Sequence, residues 1–337
     1  MDFTFKTYQS LLSALQSRGF SFITVSEYAA TASLAPRPLA PELRLVSVVE
    51  PSRRPSPFIL LRHDVEAKYE NALQMARLQH SRGIRGTYYF RIYGKNGHSA
   101  VIREIAALGH EIGYHYDDLS HCKGDYEKAI RRFEENLTYL RQFGPVTSAT
   151  MEGAPLSRYD NRMLWLGRLD ELVEGSKYVV GSKKYVVGES GNKVDTTKPE
   201  SKSRYLLPTY YYLNQHNSKL PKYNYKDNGI LTEPYFDFNF NQLYYLTDTG
   251  RRWDGHLYNV RDKATKENPV TNPAFLGLRF HSTRDIIQAI NGGSFPEQAM
   301  LNFHPQRWND GLFPWLKELV WQNVKNQGKR VLVNFRR

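Results

Sequence analysis

Cysteine is nearly missing from this chain: Cys122 is the single one in 337 residues. A lone thiol excludes an internal disulfide and fits a reducing compartment, so a cytoplasmic protein is expected. No stretch reaches the about 18 consecutive apolar residues that a membrane-spanning helix needs, and no such helix is expected. The opening residues Met1, Asp2, Phe3, Thr4, Phe5 and Lys6 do not form a basic segment followed by an apolar one, so no secretory signal is expected either. Negative charge is also short: 34 Asp and Glu stand against 46 Lys and Arg, a net +12. A basic balance points to anionic partners, whether nucleic acid, lipid phosphate or an acidic sugar carrier. Zinc-finger, helix-turn-helix and RNA-binding signatures are absent, which leaves nucleic acid resting on charge alone and outside the expected partners.

Aromatic residues, by contrast, are plentiful. With 23 Tyr and 17 Phe the chain can build a sizeable core despite a mean hydropathy of −0.59. Helical spacing over 7–18 stops at Gly19, and a short strand follows at 21–25. Six prolines between 35 and 57 read as a loop. Strands and helices then alternate: strands at 58–63, 85–92, 111–115 and 146–151, with helices at 67–81, 99–108, 125–142 and 160–169. Further strands are expected at 234–238, 243–247 and 299–304, and helices at 283–289 and 313–326, before the run 330–335 closes the chain. The alternation argues for parallel β/α units, read as one α/β domain over 1–337, a closed or nearly closed barrel. An extension occupies 1–57. An elaborated insertion occupies 171–230; between 175 and 229 ten basic residues face four acidic ones, half of the net excess. The motif KYVVG recurs there at 177 and 184, as a local hairpin or a tandem duplication. The insertion either covers the rim and contacts a phosphate-bearing carrier such as a nucleotide or lipid diphosphate, or forms a solvated loop or an oligomer contact.

The chemistry gathers where strands end. Residues two apart on a strand share a side, so Asp64 and Glu66 project together at the carboxyl end of the strand at 58–63. There α/β sheets place their ligands and catalysts. Two carboxylates in that place can hold a metal and activate a water, or can merely cap the helix that follows. Arg91, His115, Glu152, Asp248 and His304 end other strands in the same way. Carboxylate and imidazole ligands suit Zn²⁺, with Co²⁺ or Ni²⁺ as alternatives, and a separate histidine can protonate a leaving amine. Each residue has a plainer reading: His115 as a buried, hydrogen-bonded ring, His121 as a solvated loop histidine, Asp248 as a cap for the Thr249-Gly250 turn. His110 serves the turn at Gly109. Trp253 and Trp308 are core residues or a sugar-stacking wall, and Arg91 and Tyr116 are further candidates for substrate contact.

Six segments carry a resemblance: 60–66 (LLRHDVE), 85–91 (RGTYYFR), 107–116 (ALGHEIGYHY), 155–162 (PLSRYDNR), 245–253 (YLTDTGRRW) and 302–308 (NFHPQRW). In this order they resemble the polysaccharide deacetylases of the NodB-homology fold, carbohydrate esterase family 4, and most closely the branch found in O-antigen and capsule gene clusters. The resemblance implies a distorted (β/α) barrel of about seven strands that hydrolyses an N-acetyl or similar N-acyl group from an amino sugar. By position, Asp64 would be the general base, Glu66 would stand where the family has a metal-binding Asp, and His115 would be the first metal histidine. His304 would be the general acid, with Asp248 and Trp253 in the motif that positions it. The chain departs from the pattern in three places. Glu66 is one methylene longer than Asp. Leu119 occupies the spacing of the second metal histidine, with His121 and Asp118 as substitutes. Glu152, between Met151 and Gly153, stands where the branch tends to have His, as an extra ligand or base. The expected function is thus a metal-dependent deacetylase acting on a nucleotide- or lipid-linked surface-glycan precursor. The alternative is an inactive barrel that binds glycan or a partner enzyme.

Overall fold

The computed structural model of the chain describes residues 1–34, 57–94, 98–155, 157–165, 177–180, 183–186, 223–253, 275 and 277–335; for 177–180, 183–186 and 328–335 it describes the backbone. In chain order the elements are α1 (Phe5–Ser17), β1 (Ser21–Phe22), α2 (Val25–Leu34), β2 (Phe58–Val65), α3 (Tyr69–His80), β3 (Thr87–Phe90), α4 (Ser99–Ala107), β4 (Glu111–Tyr116), α5 (Asp118–His121), α6 (Tyr126–Leu140), β5 (Ala149–Met151), β6 (Lys177–Val180), β7 (Lys183–Val186), α7 (Pro234–Asp237), β8 (Tyr244–Thr247), α8 (Thr283–Gly292), β9 (Gln298–Phe303) and α9 (Leu312–Phe335). Local chemistry sets many of the boundaries. Thr4 and Thr7 form a capping box at the start of α1, Asp125 caps α6, and Ser282 with Asp285 caps α8, which ends at Gly293 with φ 73°.

The strands form a curled parallel sheet in the order β5-β4-β3-β2-β9-β8, a half-barrel of six strands. The short β1 pairs with the first two residues of β2. Alternation along the strands separates two sides of the sheet. Ile59, Leu61, Ala299, Leu301 and Phe303 face outward, packed under α1 and α8 with Trp308. Tyr88 and Phe90 join a second outward cluster with Leu73, Ile102 and Phe133, beneath α3, α4 and α6. Leu60, Tyr89, Tyr245 and Met300 point the other way, into the curl, where Phe238, Phe240 and Leu243 complete a third cluster. Each large apolar side chain buried this way contributes about 1.5–3 kcal/mol. Gly113 lies on β4 against Tyr89: a Cβ there would stand 2.4 Å from two carbons of the Tyr89 ring. The aromatic filling of the curl thus depends on a missing side chain.

Several expectations need correction. The run 234–238, read as a strand, is helical in α7. Glu233 caps it by accepting from the backbone of Tyr235 and Phe236, and Pro234 sits at the first helical position, where its fixed φ and missing N–H cost nothing. Helix α2 was not anticipated, although Thr24 and Glu27 exchange the bonds of a capping box at its start. The backbone of α9 continues as helix through 330–335. Among the described residues β5 and β8 are not paired with each other, and the sheet is a curled half-barrel. The repeated KYVVG motif forms an antiparallel hairpin with Lys177 opposite Val186. The short helix expected at 160–169 is a 3₁₀ turn over 161–165, its remainder lying outside the described residues. The proline-rich loop at 35–56 and most of the basic insertion also lie outside them.

Candidate active site

Each parallel strand of the half-barrel delivers a polar group at its carboxyl end. Glu66 follows β2, Arg91 follows β3, His115 is the penultimate residue of β4, and Glu152 follows β5. Asp248 follows β8 and His304 follows β9. Glu66, His115 and Glu152 each offer one ligand atom, and these atoms lie within 4.8 Å of one another. His115 Nδ1 donates to the Thr150 carbonyl at 3.1 Å, which fixes the ring and leaves Nε2 facing the carboxylates. Gln306 Nε2 donates to Glu66 Oε2 at 3.0 Å.

The donor set fits a divalent cation. Glu152 Oε2 is buried and accepts no hydrogen bond, although His115 Nε2 stands 3.1 Å away. The two atoms are in contact without a hydrogen bond assigned between them. Two ligand atoms bound to one cation at about 2.0–2.2 Å stand about 3–3.5 Å apart, so the orphaned oxygen is near where a shared ion would leave it. The charges agree. Burial alone would push the His115 imidazole down, but Asp64, Glu152 and Glu66 outweigh it and raise the ring to about 9. Glu152 is held ionised against burial by His115 and Arg91, whereas burial and the Glu152 charge push the Glu66 carboxyl up. Three carboxylates crowd one imidazole, and that surplus of negative charge is what a divalent cation neutralises.

Beside this group stands a second unit. His304 Nδ1 donates to Asp248 Oδ1 at 2.6 Å, and its Nε2 faces Glu66 Oε1 at 3.6 Å. Asp248 is buried and fully committed. It accepts from the His304 backbone at 3.0 Å, from Arg307 Nη1 at 2.9 Å and from Trp308 Nε1 at 2.7 Å. It therefore sets the His304 ring rather than merely capping a turn. Asp64 lies under the group. Arg62 clamps both its oxygens at 2.8 Å, and Asn302 donates to Oδ2 at 2.9 Å. Burial would raise the Asp64 carboxyl, but Arg62, His115 and His304 hold it well below the usual range.

Other expected positions fall elsewhere. His121 is exposed at the end of α5 and is not part of the ligand group. Asp118 instead accepts from the Tyr114 hydroxyl and Arg132, and Leu119 is core. Asp64 is held by its arginine rather than grouped with the three ligands. Tyr116 is fully buried, with its hydroxyl on Glu233 at 3.3 Å. Trp308 is 0% and Trp253 4% exposed, so both pack in the core and neither offers a face to a sugar; the Trp253 indole donates to Thr283. Arg91 stays at the rim, held by Asp117 at 2.7 Å and standing 4.0 Å from Glu152. Its guanidinium lies 4.4 Å from the exposed Tyr93 ring.

Sequence reasoning passed over Arg62, Asn302, Gln306 and Arg307. Period-two spacing already set Arg62 on the Asp64 face. Asn302 required the β2–β9 register, in which it stands opposite Arg62. Among the described residues no helix is long and apolar enough to cross a membrane. No family model, curated protein or solved structure matches the chain.

Proposed function

We propose that this chain is a metal-dependent hydrolase that removes an N-acetyl, or similar N-acyl, group from an amino sugar of a surface-glycan precursor in the cytoplasm. The scaffold would be a distorted (β/α) barrel of about seven strands. The observation that carries the reading is the juxtaposition of the Glu66–His115–Glu152 group with the Asp248–His304 pair at the carboxyl ends of parallel strands. The six segments that resemble polysaccharide deacetylases add to it, since five of them contribute a residue to this place.

Glu66, His115 and Glu152 would hold the cation, with Zn²⁺ first and Co²⁺ or Ni²⁺ as alternatives. When bound, the cation polarises the acyl oxygen and lowers the pKa of water. The chain's own groups do the rest. Asp64 accepts the proton of the attacking water: an ionised carboxylate has about four lone-pair positions, and Arg62 and Asn302 fill three. His304 Nε2 gives a proton to the amine as the C–N bond breaks, and Asp248 at Nδ1 keeps the ring in the tautomer and orientation that this needs. Arg91, with Asp117 behind it, offers a cation at the rim to a substrate phosphate.

The test is release of acetate from N-acetylated nucleotide sugars and lipid-linked amino sugars. His304→Ala is expected to lower kcat roughly 10²–10⁴-fold while its metal content stays at the wild-type level. Full activity in that variant would remove His304 from the reaction. The second reading, a glycan- or partner-binding barrel without turnover, is supported by the near-complete burial of His115, Glu152 and His304. It expects sugar binding with no acetate release in any metal.

A further inference from the structure

Over 312–327, helix α9 turns its polar side to the protein and its apolar side outward. Glu318, Gln322 and Asn326 are buried; their spacing makes one helical stripe. That stripe is tied down. Lys68 Nζ donates to Glu318 Oε2 at 3.3 Å, Asn326 Nδ2 to the Gly250 carbonyl at 3.1 Å, and Trp315 Nε1 to the Asp2 carbonyl at 2.6 Å. The Arg251 guanidinium sits 4.7 Å from the Trp315 ring. On the opposite side Leu312, Phe313, Leu316, Val320, Trp321 and Val324 are exposed, Phe313 by 78% and Val320 by 62%, and no described residue covers them. Lys317 and Lys325 are exposed beside them, and Lys325 Nζ stands 5.1 Å from the Trp321 ring. From 312 to 337 the sequence has six basic residues and one acidic residue.

We propose that α9 docks this protein on the surface of an anionic lipid bilayer, with Phe313, Leu316, Val320, Trp321 and Val324 entering the boundary between headgroups and acyl chains. Aromatic and aliphatic residues along one side, with Lys317 among them and Lys325 at their edge, are the composition of a helix that lies in the membrane plane. The helix is about 36 Å long at about 1.5 Å per residue, and it is not apolar enough to cross. Its polar side is already bonded to the body, so it can bind where it stands. Charge selects the occupant. A second copy would bring +12 against +12 and lysines against lysines, whereas an anionic surface complements both.

The helix also borders the site. Lys68, bonded to Glu318, donates to the Gln306 carbonyl as well, and Gln306 holds Glu66. A docked α9 therefore sets the rim at headgroup level, where a lipid-linked precursor is presented and a nucleotide-linked one is not. That choice of substrate rests on the proposed hydrolase activity; membrane docking does not.

The experiment is flotation of the full chain with vesicles of phosphatidylcholine and phosphatidylglycerol, against phosphatidylcholine alone, for the wild type and a Phe313→Ser/Trp321→Ser variant. Both residues are exposed, so the variant is expected to melt like the wild type. Flotation with the anionic vesicles, reduced roughly tenfold or more in the variant, is the expected result. Equal flotation of the two proteins, or none by either, would overturn the inference. So would a wild-type dimer in sedimentation velocity that the substitutions dissolve, since a second copy would then cover the helix. Vesicle binding by a chain that releases no acetate would leave this inference standing and sink the hydrolase.

Discussion

Glu66 and Glu152 set two carboxylates against the single imidazole of His115, where the polysaccharide-deacetylase pattern that the sequence resembles would put one carboxylate and two imidazoles. The harder donor set broadens the range of cations the site can hold toward those that favour oxygen, and it makes the charge of the cation more necessary. Glu152 was visible in the sequence as a departure, a carboxylate between Met151 and Gly153. Its partnership with Glu66 was not, because the two residues belong to strands separated by β3 and β4 in the sheet. Arg62 illustrates the opposite case: alternation along one strand sufficed to place it on the face of Asp64, yet its clamp was overlooked because a strand-interior arginine looks like an anomaly rather than a partner. Gly113 carries a prediction of its own. A methyl group at this position meets the Tyr89 ring at 2.4 Å and the Ser148 carbonyl at 3.2 Å. Gly113→Ala is expected to cost about 1–3 kcal/mol in urea unfolding. A change within about 0.5 kcal/mol, the range of an ordinary surface substitution, would show that the ring yields freely.

At the scale of elements, β2, α3, β4 and α6 were legible because each is periodic and followed by a turn, and the shorter β3 and β5 followed from their place in the alternation, whereas the four-residue α5 was not anticipated. Other short elements were lost. Helix α7 reads as a strand from its alternating aromatic residues, and only its cap, Glu233 with Pro234, decides otherwise. His110 ties three elements together. Its Nδ1 accepts from the Gly86 backbone at 3.2 Å before β3, and its Nε2 donates to the Ala76 carbonyl of α3 at 3.0 Å. A proton on Nδ1 would set a donor against a donor. Burial, as the largest influence, pushes the ring down to about 4 from 6.5. The unfolded chain therefore binds the proton more readily than the folded one. The stability this ring contributes is present above pH 6.5 and is lost as the pH falls through about 4. Within that window the loss approaches about 1.4 kcal/mol per pH unit. Chemical denaturation from pH 7 to pH 4 is expected to show a shallower decline in His110→Asn than in the wild type. Parallel declines would mean that His110 is charged in the folded state.

For the whole molecule, the α/β class was legible in the alternation, and the placing of polar groups at strand ends followed from it. Closure of the sheet was not. Whether a curled sheet meets its own edge depends on strand tilt and stagger, which no local pattern encodes, and here β5 and β8 are left unpaired with each other among the described residues. The account stands or falls on the ion. The direct measurement is metal content by inductively coupled plasma mass spectrometry on untagged full-length protein, purified without chelator and then equilibrated with Zn²⁺, Co²⁺ or Ni²⁺. Wild type, His115→Ala and Glu152→Gln are compared. The account predicts one equivalent per chain in the wild type and at least about a hundredfold weaker binding in both variants. A wild type that stays metal-free with all three ions, or variants that bind as the wild type does, would contradict it.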